Sequence, residues 1–284
     1  MSITSSAVLV ELNISVWPAQ TVDREVTEKV TADANADANS GRFLKDLTAG
    51  SHLRKDIEKF AANCRVKHLR HTIPWSDKGS RLLPTSLFLD YKAFINQVEP
   101  EFMGMRAEFL RKYPQLVADA PSRLGKMYKA DDYPSVEDVA NRFAFRCVFS
   151  PLPDAGDFRL DVAIADLEEV KQRYADDYSR RLSEAMREPW DRLHKLLTDM
   201  SKKLTDSDDE EKKKRYHDTL VTNAVDLCSL LSKLNVTGDP KLEEARKQLE
   251  LTMLGADIEV IKESPAVRET MKSKVDAILS KFDW

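Results

Sequence analysis

The sequence predicts an α+β fold: a small antiparallel β-sheet packed with helices, followed by a long antiparallel helical hairpin and terminal helices. Three observations carry it. Near the N-terminus, AVLVELNISVW alternates apolar and polar residues. FAFRCVF and FRLDVAI repeat that alternation around the turn-forming SPLPDAGD. From about residue 165 onward, apolar residues recur at three- and four-residue steps instead. A period of two belongs to a half-buried strand, and a period near 3.6 to an amphipathic helix.

The first strand is expected over residues 7–17, with Val8, Val10, Leu12, Ile14 and Val16 on one face. Glu11, Asn13 and Ser15 take the other face, and Pro18 ends the strand because proline cannot donate to a ladder. Helices are expected to fill the chain from residue 20 to 142. DREVTEKVTADANADANSGRFLKDL reads as helical at both ends, but ADANADAN has no large apolar residue to pack and forms a surface segment or a weak helix. SHLRKDIEKFAANCRVKHLRH is a helix with Leu53, Ile57, Phe60, Cys64 and Leu69 near one stripe and Ser51 as its cap. HTIPWSDKGSRLLP, punctuated by Pro74, Gly79 and Pro84, is a joint between two helical runs. Helix resumes at SLFLDYKAFINQ, with a turn or kink expected at Pro100. Ser135 followed by Asp138 has the spacing of a capping box for a short helix. Strands over 143–150 and 158–164 then form a hairpin, with Phe143, Phe145, Cys147 and Phe149 facing one way.

Residues 1–164 read as the mixed α+β domain and 165–284 as the helical region. In the latter, Leu167, Val170, Tyr174, Tyr178, Leu182, Met186, Trp190, Leu193, Leu197, Met200 and Leu204 form one stripe. Pro189 is expected to kink or break that helix. TDSDDEEKKK makes a solvated tip, and Tyr216, Leu220, Ala224, Leu227, Leu231 and Leu234 form the returning stripe. Asp239–Pro240 and Ser264–Pro265 each place proline in the first turn of a further helix. Such a region forms either an arm available for self-assembly or a bundle packed on the sheet.

The composition excludes several classes. The 284 residues carry a net charge of −4, with 32% charged residues balanced in sign, so the whole molecule is not an electrostatic magnet for nucleic acid. Cys64, Cys147 and Cys228 are far apart and form no CxxC, which fits a reducing cytoplasm better than a disulfide framework. The N-terminus lacks a basic leader region, and no run approaches the roughly 20 apolar residues of a spanning helix. Cys64, His68 and His71, with His52 upstream, are the nearest approach to a metal set, but no second cysteine pair and no HExxH accompany them. GxSxG, a P-loop and GxGxxG are also missing. The leading expectation is therefore a non-enzymatic protein with no catalytic residue, metal or cofactor to nominate, and an enzyme using His68, His71 or the acidic residues is kept as a third reading.

One segment stands out electrostatically. Residues 41–81 hold ten basic and four acidic side chains, a net charge of +6, so the rest of the chain carries −10. Phe43 and Trp75 are interleaved with them. Cations that track phosphates, beside an aromatic ring on which a base stacks, are what single-stranded nucleic acid requires. The nominated residues are Arg42, Lys45, Arg65, Lys67, Arg70, Lys78 and Arg81 for phosphates, and Trp75 for stacking. The other reading is a structural or adaptor protein that self-assembles as a homo-oligomer, or engages a phage or host protein, through the Leu167–Leu204 stripe.

Four blocks, ISVWPAQTVDREVT, SGRFLK, HTIPWSDKGSRLLP and DYPSVEDVANRFAFRCVFSPLPDAGDFRLDV, resemble a family of uncharacterised proteins encoded by tailed bacteriophages and prophages. The likeness covers most of the chain, with its specific blocks in the N-terminal two-thirds. It implies a phage origin, a cytoplasmic role in the infected cell and a gene neighbourhood of replication and recombination. It assigns no activity to a particular residue.

Overall fold

The computed structural model describes residues 5–76, 79–153, 164–205, 219–282 and 284. The fold is α+β: 68% helical, with a small four-stranded antiparallel sheet. In chain order the elements are β1 (Ala7–Ser15), β2 (Gln20–Val22), α1 (Arg24–Asp33), β3 (Leu44–Asp46), α2 (Leu53–His71), β4 (Ile73–Pro74), β5 (Arg81–Pro84) and α3 (Thr85–Leu124). They continue with α4 (Val136–Ala140), β6 (Ala144–Pro151), α5 (Ile164–Leu204), α6 (Thr219–Leu234), α7 (Pro240–Met253), α8 (Ile258–Glu263) and α9 (Pro265–Lys281). The main sheet has the order β4-β5-β1-β6, and β2 and β3 form a separate two-stranded sheet. Among the described residues, no helix is long and apolar enough to cross a membrane.

The expected strands near 7–17 and 143–150 are present as β1 and β6. The strand expected over 158–164 falls mostly outside the described residues, and Ile164 already opens α5. HTIPWSDKGSRLLP does join two helices, but it does so as a β-hairpin. Ile73 pairs with Leu82 and Pro74 with Arg81, while β5 continues onto β1 with Leu82 opposite Leu9 and Leu83 opposite Val8. Pro74 is tolerated because β4 is the sheet's edge, where a missing N–H costs no ladder bond.

Neither Pro100 nor Pro189 breaks its helix. α3 runs through Pro100, Pro114 and Pro121 for 40 residues, and α5 runs through Pro189 for 41. A proline within a helix costs about 3 kcal/mol locally. Both helices offset it by burial: Val98 and Phe102 flank Pro100 inside the core, and Leu193 follows Pro189 by one turn with no exposure at all.

The chain divides into two compact units, one comprising Met1–Glu11, Leu69–Tyr91 and Phe149–Trp284, the other Leu12–His68 and Lys92–Val148. The second unit has an aromatic core. Phe102, Phe109 and Tyr113 fall on one face of α3 and are buried with Trp17, Phe143 and Phe145. Trp17 meets Tyr113 edge-on at 5.6 Å, and Phe109 meets Phe143 at 5.4 Å. The Tyr113 hydroxyl donates to the Pro134 carbonyl at 2.9 Å, and burial pushes its pKa up to about 12.

In the first unit, α5 to α9 share one core. Leu193, Leu197, Met200 and Leu204 of α5 pack with Leu220, Ala224, Cys228 and Leu231 of α6. Leu242, Ala245, Leu249 and Met253 of α7, Ile261 of α8, and Met271, Val275 and Ile278 of α9 complete it. This half of the expected arm is thus a bundle, and the stripe from Leu193 to Leu204 is used inside the chain rather than offered to another copy. The Ser135 cap is present and accepts from the Asp138 amide, and the Ser51 hydroxyl accepts from the Leu53 amide at 3.4 Å. At the two helices that begin with proline, Asp239 accepts from the Lys241 and Leu242 amides and Ser264 from Val267. Asp239 also accepts from the Trp190 indole at 3.0 Å. Asp239→Ala is expected to lower stability by about 1–2 kcal/mol in urea unfolding, with a change in tryptophan emission from the freed indole.

Candidate nucleic-acid interface

α2 buries Arg54, Ile57, Ala61, Cys64 and His68, a seam of three- and four-residue steps along one side. The remaining, broader side is solvent-exposed and carries Lys55, Lys59, Arg65 and Lys67. One of its two acids is paired on the helix: Arg54 donates to Glu58 at 2.9 Å. Asp56 has His52, just before the helix, at 3.7 Å. Lys55 and Lys59 have no ion-pair partner among the described residues. Arg65 remains exposed while its guanidinium donates to the Ile14 carbonyl at 2.7 Å. The Lys67 ammonium sits over the Phe94 ring at 4.3 Å, a cation–π contact. The result is an exposed cationic helix face.

The other nominated residues are put to different uses. Lys45 is buried at 3% exposure. β2–β3 pairing sets it opposite Thr21, and its ammonium donates to the Met127 carbonyl at 2.7 Å. It pairs with Asp132 at 2.6 Å and with Asp23 at 3.5 Å. Asp23 caps α1, and the hydrogen bond from the Val26 amide, aided by Lys45, holds its carboxyl below the usual range. Lys45 is therefore an internal counterion with no charge left for a phosphate.

Arg81 is likewise internal. It donates to the Thr72 hydroxyl at 2.7 Å and to Glu188 at 3.1 Å, and burial lowers its pKa despite that carboxylate. Arg70 is exposed but pairs with Asp226 at 3.1 Å. Trp75 is only 8% exposed and meets Tyr178 of α5 edge-on, with ring centroids 5.2 Å apart. Its faces are occupied by the fold, so the expected stacking platform is a packing residue. Lys78 lies outside the described residues. Arg42 is exposed and lines a cavity of about 450 Å³ together with Arg24.

The structure thus keeps Arg65 and Lys67 exposed on α2, leaves Arg70 exposed on the same helix but paired with Asp226, and buries Lys45 and Trp75. Lys55 and Lys59 belong to the basic segment but not to that set. Their signal is legible in the sequence: both fall between the buried positions 54, 57 and 61, so they must face outward. Among the described residues, no group of three or more His, Cys, Asp or Glu side chains is arranged to hold a metal ion. The cysteine nearest the histidines is packed inward: Cys64 is buried, and desolvation raises its pKa.

Comparison with protein-family models, with curated proteins and with solved structures found no match.

Proposed function

We propose that the protein binds single-stranded nucleic acid through the exposed cationic side of α2, by phosphate contact and without base stacking on Trp75. The observation that carries this reading is the set Lys55, Lys59, Arg65 and Lys67, all exposed on one helix where Glu58 is already paired with Arg54, leaving the four cations in excess of Asp56. Each cation that replaces a condensed counterion adds affinity that falls with salt. Four contacts on a single strand correspond to a slope of about −3 in log K against log salt. In keeping with the family resemblance, the protein would act in the cytoplasm of a phage-infected cell, during replication or recombination.

Fluorescence anisotropy of a labelled oligothymidylate across a salt series tests the proposal. The expected result is binding at low salt with that slope, reduced by roughly 1.4 in Lys55→Glu/Lys59→Glu because two phosphate-binding cations are removed. Both substitutions are on solvent-exposed positions and leave the buried seam untouched. No binding at low salt, or a slope unchanged in the double variant, overturns the proposal.

A further inference from the structure

The cavity beside α1 has the features of an anion site. It has a volume of about 450 Å³, within the range of small-molecule pockets, and is lined by Val22, Arg24, Thr27, Glu28, Asn39 and Arg42 among others. Neither guanidinium makes an ion pair or side-chain hydrogen bond among the described residues. The acids nearest to Arg24 in sequence are engaged elsewhere: Asp23 with Lys45, and Glu25 with Lys129 at 3.0 Å. The cavity wall is also held in place. The Phe43 amide donates to the Thr27 hydroxyl at 3.0 Å, and the Ala36 amide to the Thr31 carbonyl at 2.9 Å. These bonds fasten the 35–43 segment to α1, so the pocket does not depend on a ligand to shape it.

We propose that this cavity binds a phosphomonoester carried on a hydroxylated body, such as a sugar phosphate or a mononucleotide. Two guanidinium forks match phosphate oxygens in geometry and together balance the near-dianionic charge of a monoester. Glu28 lines the same cavity and has no side-chain partner among the described residues. Its carboxylate repels a bare anion but accepts from a sugar hydroxyl or an amino group. Asn39 supplies both a donor and an acceptor. The site therefore selects a ligand with an anionic end and a hydrogen-bond-donating end.

Calorimetric titration of the full chain with ribose 5-phosphate, adenosine monophosphate, ribose, adenosine and inorganic phosphate tests this. At least one of the two phosphomonoesters is expected to bind saturably, with its dephosphorylated counterpart roughly tenfold or more weaker. Tighter binding of adenosine monophosphate identifies a nucleotide site, and equal binding of the two esters identifies a sugar-phosphate site. Arg24→Ala and Arg42→Ala, both at exposed positions, should each weaken binding by roughly tenfold, while Glu28→Gln strengthens inorganic phosphate relative to the ester. The proposal is overturned if neither ester binds at millimolar concentration, or if the arginine variants bind as the parent does. The site is independent of the α2 face: Lys55→Glu/Lys59→Glu should leave ester binding intact, so failure of either proposal is visible without the other.

Discussion

Lys45→Ala is expected to destabilise the protein by about 3–5 kcal/mol, the loss typical of a buried ion pair deprived of one partner. Most of that cost comes from the carboxylates stranded without their cation. Asp23 is as buried as Lys45, whereas the Asp132 side chain retains 21% exposure and can recover some hydration. Asp132→Ala should therefore cost less than Lys45→Ala. The Met127 carbonyl would also lose its donor. The pH dependence has a definite sign. In the parent, the Asp23 carboxyl is held below its unfolded value, so its contribution is present above about pH 4 and lost as pH falls through the depressed value. In Lys45→Ala the lysine's share of that depression is gone. The gap between parent and variant should be widest near neutral pH and should narrow on acidification, as followed by urea unfolding at several pH values. A gap that widens as pH falls would contradict this account.

Arg192→Ala is the second large expected effect, about 2–4 kcal/mol of unfolding free energy. One guanidinium closes the C-terminal end of α2: it donates to the carbonyls of Leu69 and Arg70 at 2.7 Å and of Thr72 at 2.8 Å. The Leu69 and Arg70 carbonyls are among the acceptors that a helix leaves without partners at its last turn, and Thr72 follows the helix end. Glu188, one turn earlier on α5, accepts from Arg192 at 2.5 Å and from Arg81 at 3.1 Å, so one carboxylate holds two partly buried cations. Removing Arg192 frees the Leu69 and Arg70 carbonyls, while the Thr72 carbonyl keeps its bond from Arg81 at 3.1 Å and the Glu188–Arg81 pair remains. Arg192→Lys should recover only part of the loss, because a single ammonium cannot reproduce the planar spread of donors. A lysine variant as stable as the parent would show that charge alone, and not the fork, holds this joint.

Local chemistry is legible in the sequence, and tertiary use of charge is not. Ser135, Asp239 and Ser264 are readable as caps because cap and helix lie within three residues of one another. The strand at the N-terminus and the one beginning near Phe143 are readable from their alternation. β4 and β5 are not, because two and four residues give no period to detect and their prolines look like breakers. The continuity of the helices through Pro100 and Pro189 is hidden for a related reason: proline's local cost is visible in sequence, and the burial that offsets it is not. The candidate site shows the same divide. Ten cations in one segment announce a basic run, but Arg81 meets its acid partner 107 residues away, and Lys45 is claimed by Asp132 from another part of the chain. What period alone does reveal is which side chains of α2 must face outward, Lys55 and Lys59 included, and neither has an ion-pair partner among the described residues.

The division of the chain has a bearing on biosynthesis. The unit built from Leu12–His68 and Lys92–Val148 has all its residues once Val148 has left the ribosome. The other unit uses the first eleven residues, the β4–β5 hairpin and everything from Phe149 onward. Its early parts therefore wait, with Trp75 lacking Tyr178 of α5, against which it later packs. Long-range closure of this kind is slow, and apolar strands exposed meanwhile are prone to pair wrongly. A nascent chain halted after β6 would hold all four strands of the main sheet but none of α5 to α9, and that interval is where a folding chaperone would have the most to bind.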